Sequence, residues 1–148
     1  MALKLPPPLV WLICALLILY SAENQTDYNI TFHRILGILI LLCSVVIAAL
    51  SLRIFHQTQT TIDPRNPQHT NQLIQHGIFS ISRNPMYLSL ALALTALSFW
   101  LASAVGFIII LLFIGYITYF QIIPEEQTLQ QKFGQQYHQY CRRVRRWI

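Results

Sequence analysis

Residues 85 to 123 read PMYLSLALALTALSFWLASAVGFIIILLFIGYITYFQII, 39 residues without one charged side chain. A helix rises about 1.5 Å per residue, and about 20 apolar residues cross a bilayer core of about 30 Å. The run is too long for one crossing and suits two joined by a tight turn. Trp100 fits a membrane interface and the small residues Ala102, Ser103 and Ala104 fit a reversal, so the turn is expected at 100–103, between spans 85–101 and 104–123. Pro85 opens the first span, where a missing N–H costs nothing. Such a hairpin returns both ends of the run, residues 76–87 and the Pro124-Glu125-Glu126 cluster, to one membrane face.

The rest of the chain agrees with this reading. It has 148 residues, 55% hydrophobic and 10% charged, against about 25% charged in soluble domains. A soluble domain of this size could not hide that much apolar surface. Residues 35–52 form an uncharged run between Arg34 and Arg53 and make a further span. Residues 6–22 make a short one with Trp11 and Tyr20 as interface anchors; a cleaved signal peptide is the competing reading of that segment. Residues 23–33 are a polar loop with two chance-level glycosylation sequons at Asn24 and Asn29. The 53–84 connection is longer than topology requires, as functional loops are.

After Pro124, Leu129, Phe133, Tyr137, Tyr140 and Val144 recur at spacings of three and four. They predict an amphipathic tail helix, bent at Gly134, lying on the membrane surface with its arginines toward headgroups. Arg142, Arg143, Arg145 and Arg146 crowd the end of the chain. Beside membrane helices such a cluster marks the cytoplasmic side and anionic lipid, and no nucleic-acid partner is expected. The expected architecture is therefore an all-α integral membrane domain over 1–148, with about four spans, a loop at 53–84, a cytosolic tail at 124–148, and both termini cytoplasmic.

Several devices are missing from the sequence. The five glycines are isolated, so no phosphate-binding or dinucleotide loop is present, and no Gly-x-Ser-x-Gly elbow occurs. The five histidines are scattered and the three cysteines unpaired in spacing, so no metal site or disulfide framework is expected. What remains is Arg83, Asn84, Tyr87, Glu125 and Glu126 with the aromatics Phe79, Tyr137 and Tyr140. Taken singly, Arg83 reads as a positive-inside anchor, Asn84-Pro85 as a helix cap and the glutamates as a helix start. Together, at both ends of one hairpin, they read as one pocket.

The stretch Leu73-Ile74-x-x-Gly77-Ile78-Phe79-x-x-Ser82-Arg83-Asn84-Pro85-Met86-Tyr87, with Glu125-Glu126-x-x-Leu129-x-x-x-Phe133-Gly134-x-x-Tyr137-x-x-Tyr140 and the terminal Arg143-Val144-Arg145-Arg146-Trp147, resembles the isoprenylcysteine carboxyl methyltransferase family and its phospholipid methyltransferase relatives. Thr60-Thr61-Ile62-x-Pro64 is similar to the bacterial branch. The resemblance covers about residues 53–147 and implies a membrane enzyme that takes a methyl group from S-adenosylmethionine. It implies cofactor contacts at Leu73, Ile74, Gly77, Phe79, Asn84, Pro85, Tyr87 and Glu125. Arg83 and Glu126 are implied at the reacting centre or in holding the helices together.

The residues suit that chemistry. Aromatic faces such as Phe79 and Tyr87 attract a sulfonium cation, and Glu125 can accept hydrogen bonds from ribose hydroxyls or an amino group. A carboxylate acceptor needs no general base, whereas an amine does, with Glu126 or His76 as candidates. Two positions depart from the carboxyl methyltransferases: Asn84 stands for a His, and Gln121 for an Arg associated with the substrate carboxylate. The expected acceptor is therefore a lipophilic small molecule or lipidated substrate carrying a carboxylate or an amine. The competing function is a non-enzymatic membrane protein that binds a lipid or a partner. A nicotinamide-dependent reductase sharing the hairpin is disfavoured, because its cofactor motifs are missing.

Overall fold

A computed structural model describes residues 5–22, 30–58 and 73–148. All regular structure among them is helical: α1 (Pro7–Ser21), α2 (Ile30–Thr58), α3 (Pro85–Trp100), α4 (Ala104–Ile117) and α5 (Ile123–Arg143), with a 3-10 turn at Gly77–Ser80. Both sequon asparagines and the Thr60-Thr61-Ile62-x-Pro64 stretch lie outside the described residues.

The apolar run folds as the expected hairpin. Its turn falls at residues 101–103, where Ala102 takes a left-handed φ of 51°, and Ser103 caps α4 by accepting from the Gly106 amide at 3.2 Å. Gly106 lets α4 press on α3: a Cβ there would lie 2.2 Å from Ser98 Oγ and 2.8 Å from Ser98 Cβ. Ser98 is fully buried and its hydroxyl is bound to the Leu94 carbonyl. Rotating that hydroxyl away sacrifices its bond and leaves the Cβ clash. Gly106→Ala is expected to cost about 1–3 kcal/mol of stability, as overpacking does, read as an earlier thermal unfolding in detergent; an unchanged midpoint would refute this close approach.

The core joins α1, α3 and α4 through Ile18, Leu94, Phe113 and Ile117. α2 lies along α3, brought close by Gly37, whose position for a Cβ is 2.9 Å from the Ala96 carbonyl oxygen. Ser44 Oγ ties the pair by donating to the Ser89 carbonyl at 2.7 Å. Outward from this core Leu16, Leu42, Ile108, Leu111 and Leu112 are exposed, the apolar surface expected of helices that face a bilayer. Two helices are long and apolar enough to cross one, Thr31–Gln57 and the continuous Ala104–Arg143; Pro7–Ser21 and Pro85–Trp100 are apolar but shorter.

Three features differ from the sequence reading. α2 runs beyond 35–52 at both ends and takes in part of the 23–33 and 53–84 loops. Charge limits the apolar stretch and not the helix: Arg34 stays helical with its guanidinium 5.7 Å from the Trp100 ring centroid.

Pro124 does not open a new helix after a break. The chain passes from α4 to α5 through a π-helical turn, Thr118–Ile122, in which the Ile123 amide bonds to the Thr118 carbonyl. A helical proline lacks a donor and collides with the carbonyl four residues back; the wider turn just before Pro124 absorbs both effects.

The tail's apolar face does not lie on lipid either. Tyr137, Tyr140 and Val144 are buried together with Leu73, Leu129 and Phe133, so this face packs on the chain's own loop. The bend at Gly134 is present (φ 48°, ψ −117°), in a region open to glycine.

Candidate active site

The start of α3 is held by the end of the chain. Beyond α5 the backbone becomes extended at Val144 and runs back across residues 83–84. The Arg83 amide donates to the Arg145 carbonyl at 3.1 Å, and Asn84 Nδ2 to the Arg146 carbonyl at 3.0 Å. Trp147 Nε1 donates to Thr118 Oγ1 at 3.3 Å, fastening this strap to the π turn. Asn84 is therefore not the side-chain cap of α3 that its place before Pro85 suggests: it makes no capping bond, and its amide is spent on the strap. Pro85 is buried at the first turn.

Two acid-centred pairs follow. Tyr87 donates its phenolic hydrogen to Glu125 Oε1 at 2.6 Å, joining α3 to α5. Burial pushes the Glu125 carboxyl above the ordinary carboxylate range, partly opposed by the Tyr87 hydrogen bond, while the neighbouring Glu126 charge adds to the rise. Glu126 is gripped by two arginines. Arg146 makes a two-pronged contact, Nε to Oε1 at 3.0 Å and Nη2 to Oε2 at 2.7 Å, the geometry in which guanidinium and carboxylate bind best. Arg83 Nη2 lies 3.2 Å from Oε1. Arg83 Nη1 also donates to the Tyr137 hydroxyl at 3.3 Å and contacts Cys141 Sγ.

The expected residues thus fall into two groups. Arg83, Asn84, Tyr87, Glu125 and Glu126 meet at the junction of α3, α5 and the strap. Leu73, Ile74, Gly77 and Phe79 build the loop beside it: Ile74 and Phe79 pack on Ile54, and Phe79 meets Phe55 edge-on at 5.4 Å. Leu73 joins the tail tyrosines, and Gly77 takes φ 61° where a Cβ would meet Ile54 Cδ1 at 2.6 Å. Tyr140 holds the loop to the tail by donating to the Phe79 carbonyl at 2.7 Å. Phe79 and Tyr87 lie in separate apolar clusters and do not form a joint aromatic cage in this arrangement. His76 is exposed on the loop.

Arg146 is the member that the sequence reading missed. It was grouped with the headgroup-facing arginines, yet it binds Glu126, and Arg143 binds Gln75 Oε1 at 2.8 Å. Nothing in a run of four arginines distinguishes the one that folds inward. Gln121, in the π turn, is 2% exposed, and its Nε2 makes no hydrogen bond. Among the described residues no group of three His, Cys, Asp or Glu could hold a metal ion.

Compared with known proteins, residues 32–136 match the model of a family described as phospholipid methyltransferase. A curated protein of Haemophilus influenzae, described as an uncharacterized protein, is 44% identical over 63 residues, which are 43% of this chain and 100% of that protein. No solved structure matches.

Proposed function

This chain belongs to the phospholipid methyltransferase family, membrane methyltransferases, and we propose from this premise that it uses S-adenosylmethionine to methylate a lipophilic acceptor drawn from the bilayer. The observation that carries the reading is the Tyr87–Glu125 pair at 2.6 Å, a half-buried carboxylate held by a phenol where α3 meets α5. We assign four spans with both termini cytoplasmic, α1, α2, α3 and α4, since the arginine-rich strap and the polar loop then share the cytoplasmic side.

The residues fit the cofactor. Glu125 has an oxygen beyond the one that Tyr87 occupies, so it can accept from a ribose hydroxyl or an ammonium group, and its charge favours a nearby cation. Asn84 and Pro85 at the start of α3 and Leu73, Ile74, Gly77 and Phe79 of the neighbouring loop are the further residues we assign to the cofactor.

When bound, the cofactor supplies a methyl group on a cationic sulfur, whose displacement requires the nucleophile in line and water excluded. The protein's part is to hold the two reactants in register. Arg83 and Glu126 fix the angle between α3 and α5, and the strap covers them. An amine acceptor also needs a proton taken from it; both Glu126 oxygens are held by arginines, which leaves Glu125 the one with an oxygen to spare.

Two measurements test the reading. Calorimetric titration of the purified protein with S-adenosylmethionine is expected to show one site, and no heat would point instead to a non-enzymatic lipid-binding protein. Methyl-labelled cofactor incubated with membranes is expected to put label into lipid or lipidated material. Release of that label as methanol by mild base identifies a carboxyl acceptor, and retention identifies an amine.

A further inference from the structure

Gln121 carries an inference that deepens this reading and rests on it. Its side chain is 2% exposed and its Nε2 reaches neither solvent nor a protein acceptor. A buried donor left without a partner is rare and costly, so it calls for an explanation at its own position. The explanation here is local. Gln121 sits in the π turn, four residues before Glu125 and beside Tyr87. π turns are inserted frequently at functional sites, where they redirect a side chain out of the helical repeat.

The charges around it define what can complete its bonding. Arg83 and Arg146 both bind Glu126, and none of their hydrogen bonds goes to Glu125 or Gln121. An anionic group brought to Gln121 would lie beside the Glu125 carboxyl, while Arg83 and Arg146 are both engaged with Glu126. A neutral amide donor suits an uncharged oxygen. We propose that Gln121 is a specificity-determining residue whose Nε2 binds an uncharged carbonyl, ester, amide or hydroxyl oxygen of the methyl acceptor, so that a free carboxylate is disfavoured at that point.

The test uses the full-length protein in nanodiscs, with Gln121→Met as a variant of similar length and no polar head. Three quantities are measured: the dissociation constant for S-adenosylmethionine, transfer of labelled methyl into vesicles of a total bacterial lipid extract, and the thermal midpoint without ligand. The variant is expected to raise the KM for lipid at least tenfold, to keep cofactor affinity within twofold and not to lower the midpoint, because it removes an unsatisfied buried amide. In wild type, palmitamide is expected to inhibit transfer at least tenfold better than palmitic acid, and the variant to lose that preference.

An unchanged KM, an equal loss of cofactor affinity, a lowered midpoint, or stronger inhibition by the acid overturns the inference. If wild type itself transfers no label, the proposed function fails and this assignment falls with it; transfer by wild type with an indifferent variant overturns the assignment alone.

Discussion

Glu126→Ala is expected to lower stability by roughly 2–4 kcal/mol and to free the C-terminal strap. The carboxylate is the shared partner of Arg83 and Arg146, and the side chains of Arg83 and Glu126 are only 13% and 17% exposed. Removing one partner of a buried ion pair costs about 3–5 kcal/mol because the other charge is left desolvated. The lower figure is expected here because Arg146, at 37% exposed, can turn to water. Losing Arg146's anchor also loosens the bonds that the Arg83 amide and the Asn84 side chain make to the carbonyls of residues 145 and 146.

Two readouts follow: an earlier thermal unfolding in detergent micelles and faster tryptic cleavage after Arg142 or Arg143. Gln136→Ala, at an exposed position that leaves both cleavage sites intact, is the control and should stay within about 0.5 kcal/mol of wild type. If Glu126→Ala unfolds and cleaves like the control, the ion-pair cluster does not hold the strap.

That cluster also marks the limit of what the sequence discloses. The hairpin was legible because absence of charge over 85–123 has a single physical consequence, and the turn because small residues follow Trp100. The pairing of the two polar ends was legible for the same reason, since a hairpin must return its ends to one face.

Helix continuity through Pro124 was not legible. A proline after an apolar run reads as a start, and only the inserted π residue, which has no compositional signature, lets the helix pass through it. The fate of the tail was misread because an amphipathic face states that it needs an apolar partner without naming it. Leu73 and the buried tyrosines supply that partner in place of lipid. Arg146 was hidden for a related reason, since its distinction from Arg142 arises only when the chain turns back at Val144.

The largest functional effect is expected at Glu125. Glu125→Ala should weaken S-adenosylmethionine binding about a hundredfold or more, equivalent to about 2.7 kcal/mol, within the range of one or two charge-assisted hydrogen bonds. Tyr87→Phe should weaken it about tenfold, because the phenol aims the carboxylate and stabilises its charge without being its replacement.

The pH dependence separates this role from a merely structural one. Burial holds the Glu125 carboxyl above the usual range, so without ligand the folded protein keeps this proton more tightly than the unfolded chain does. That contribution to stability is complete below the ordinary carboxylate value and is lost as pH rises through the raised one. Binding to the ionised carboxylate runs in the opposite direction: cofactor affinity falls on acidification, with a midpoint above that of an exposed glutamate. The Tyr87 hydrogen bond works against the rise, so Tyr87→Phe should move the midpoint to still higher pH. Titrations with S-adenosylmethionine across a pH series, for wild type and both variants, measure this directly. A profile that Tyr87→Phe leaves in place, or moves toward acid, would remove Glu125 from the cofactor site, because the hydrogen bond lost in that variant is one that lowers the carboxyl's pKa.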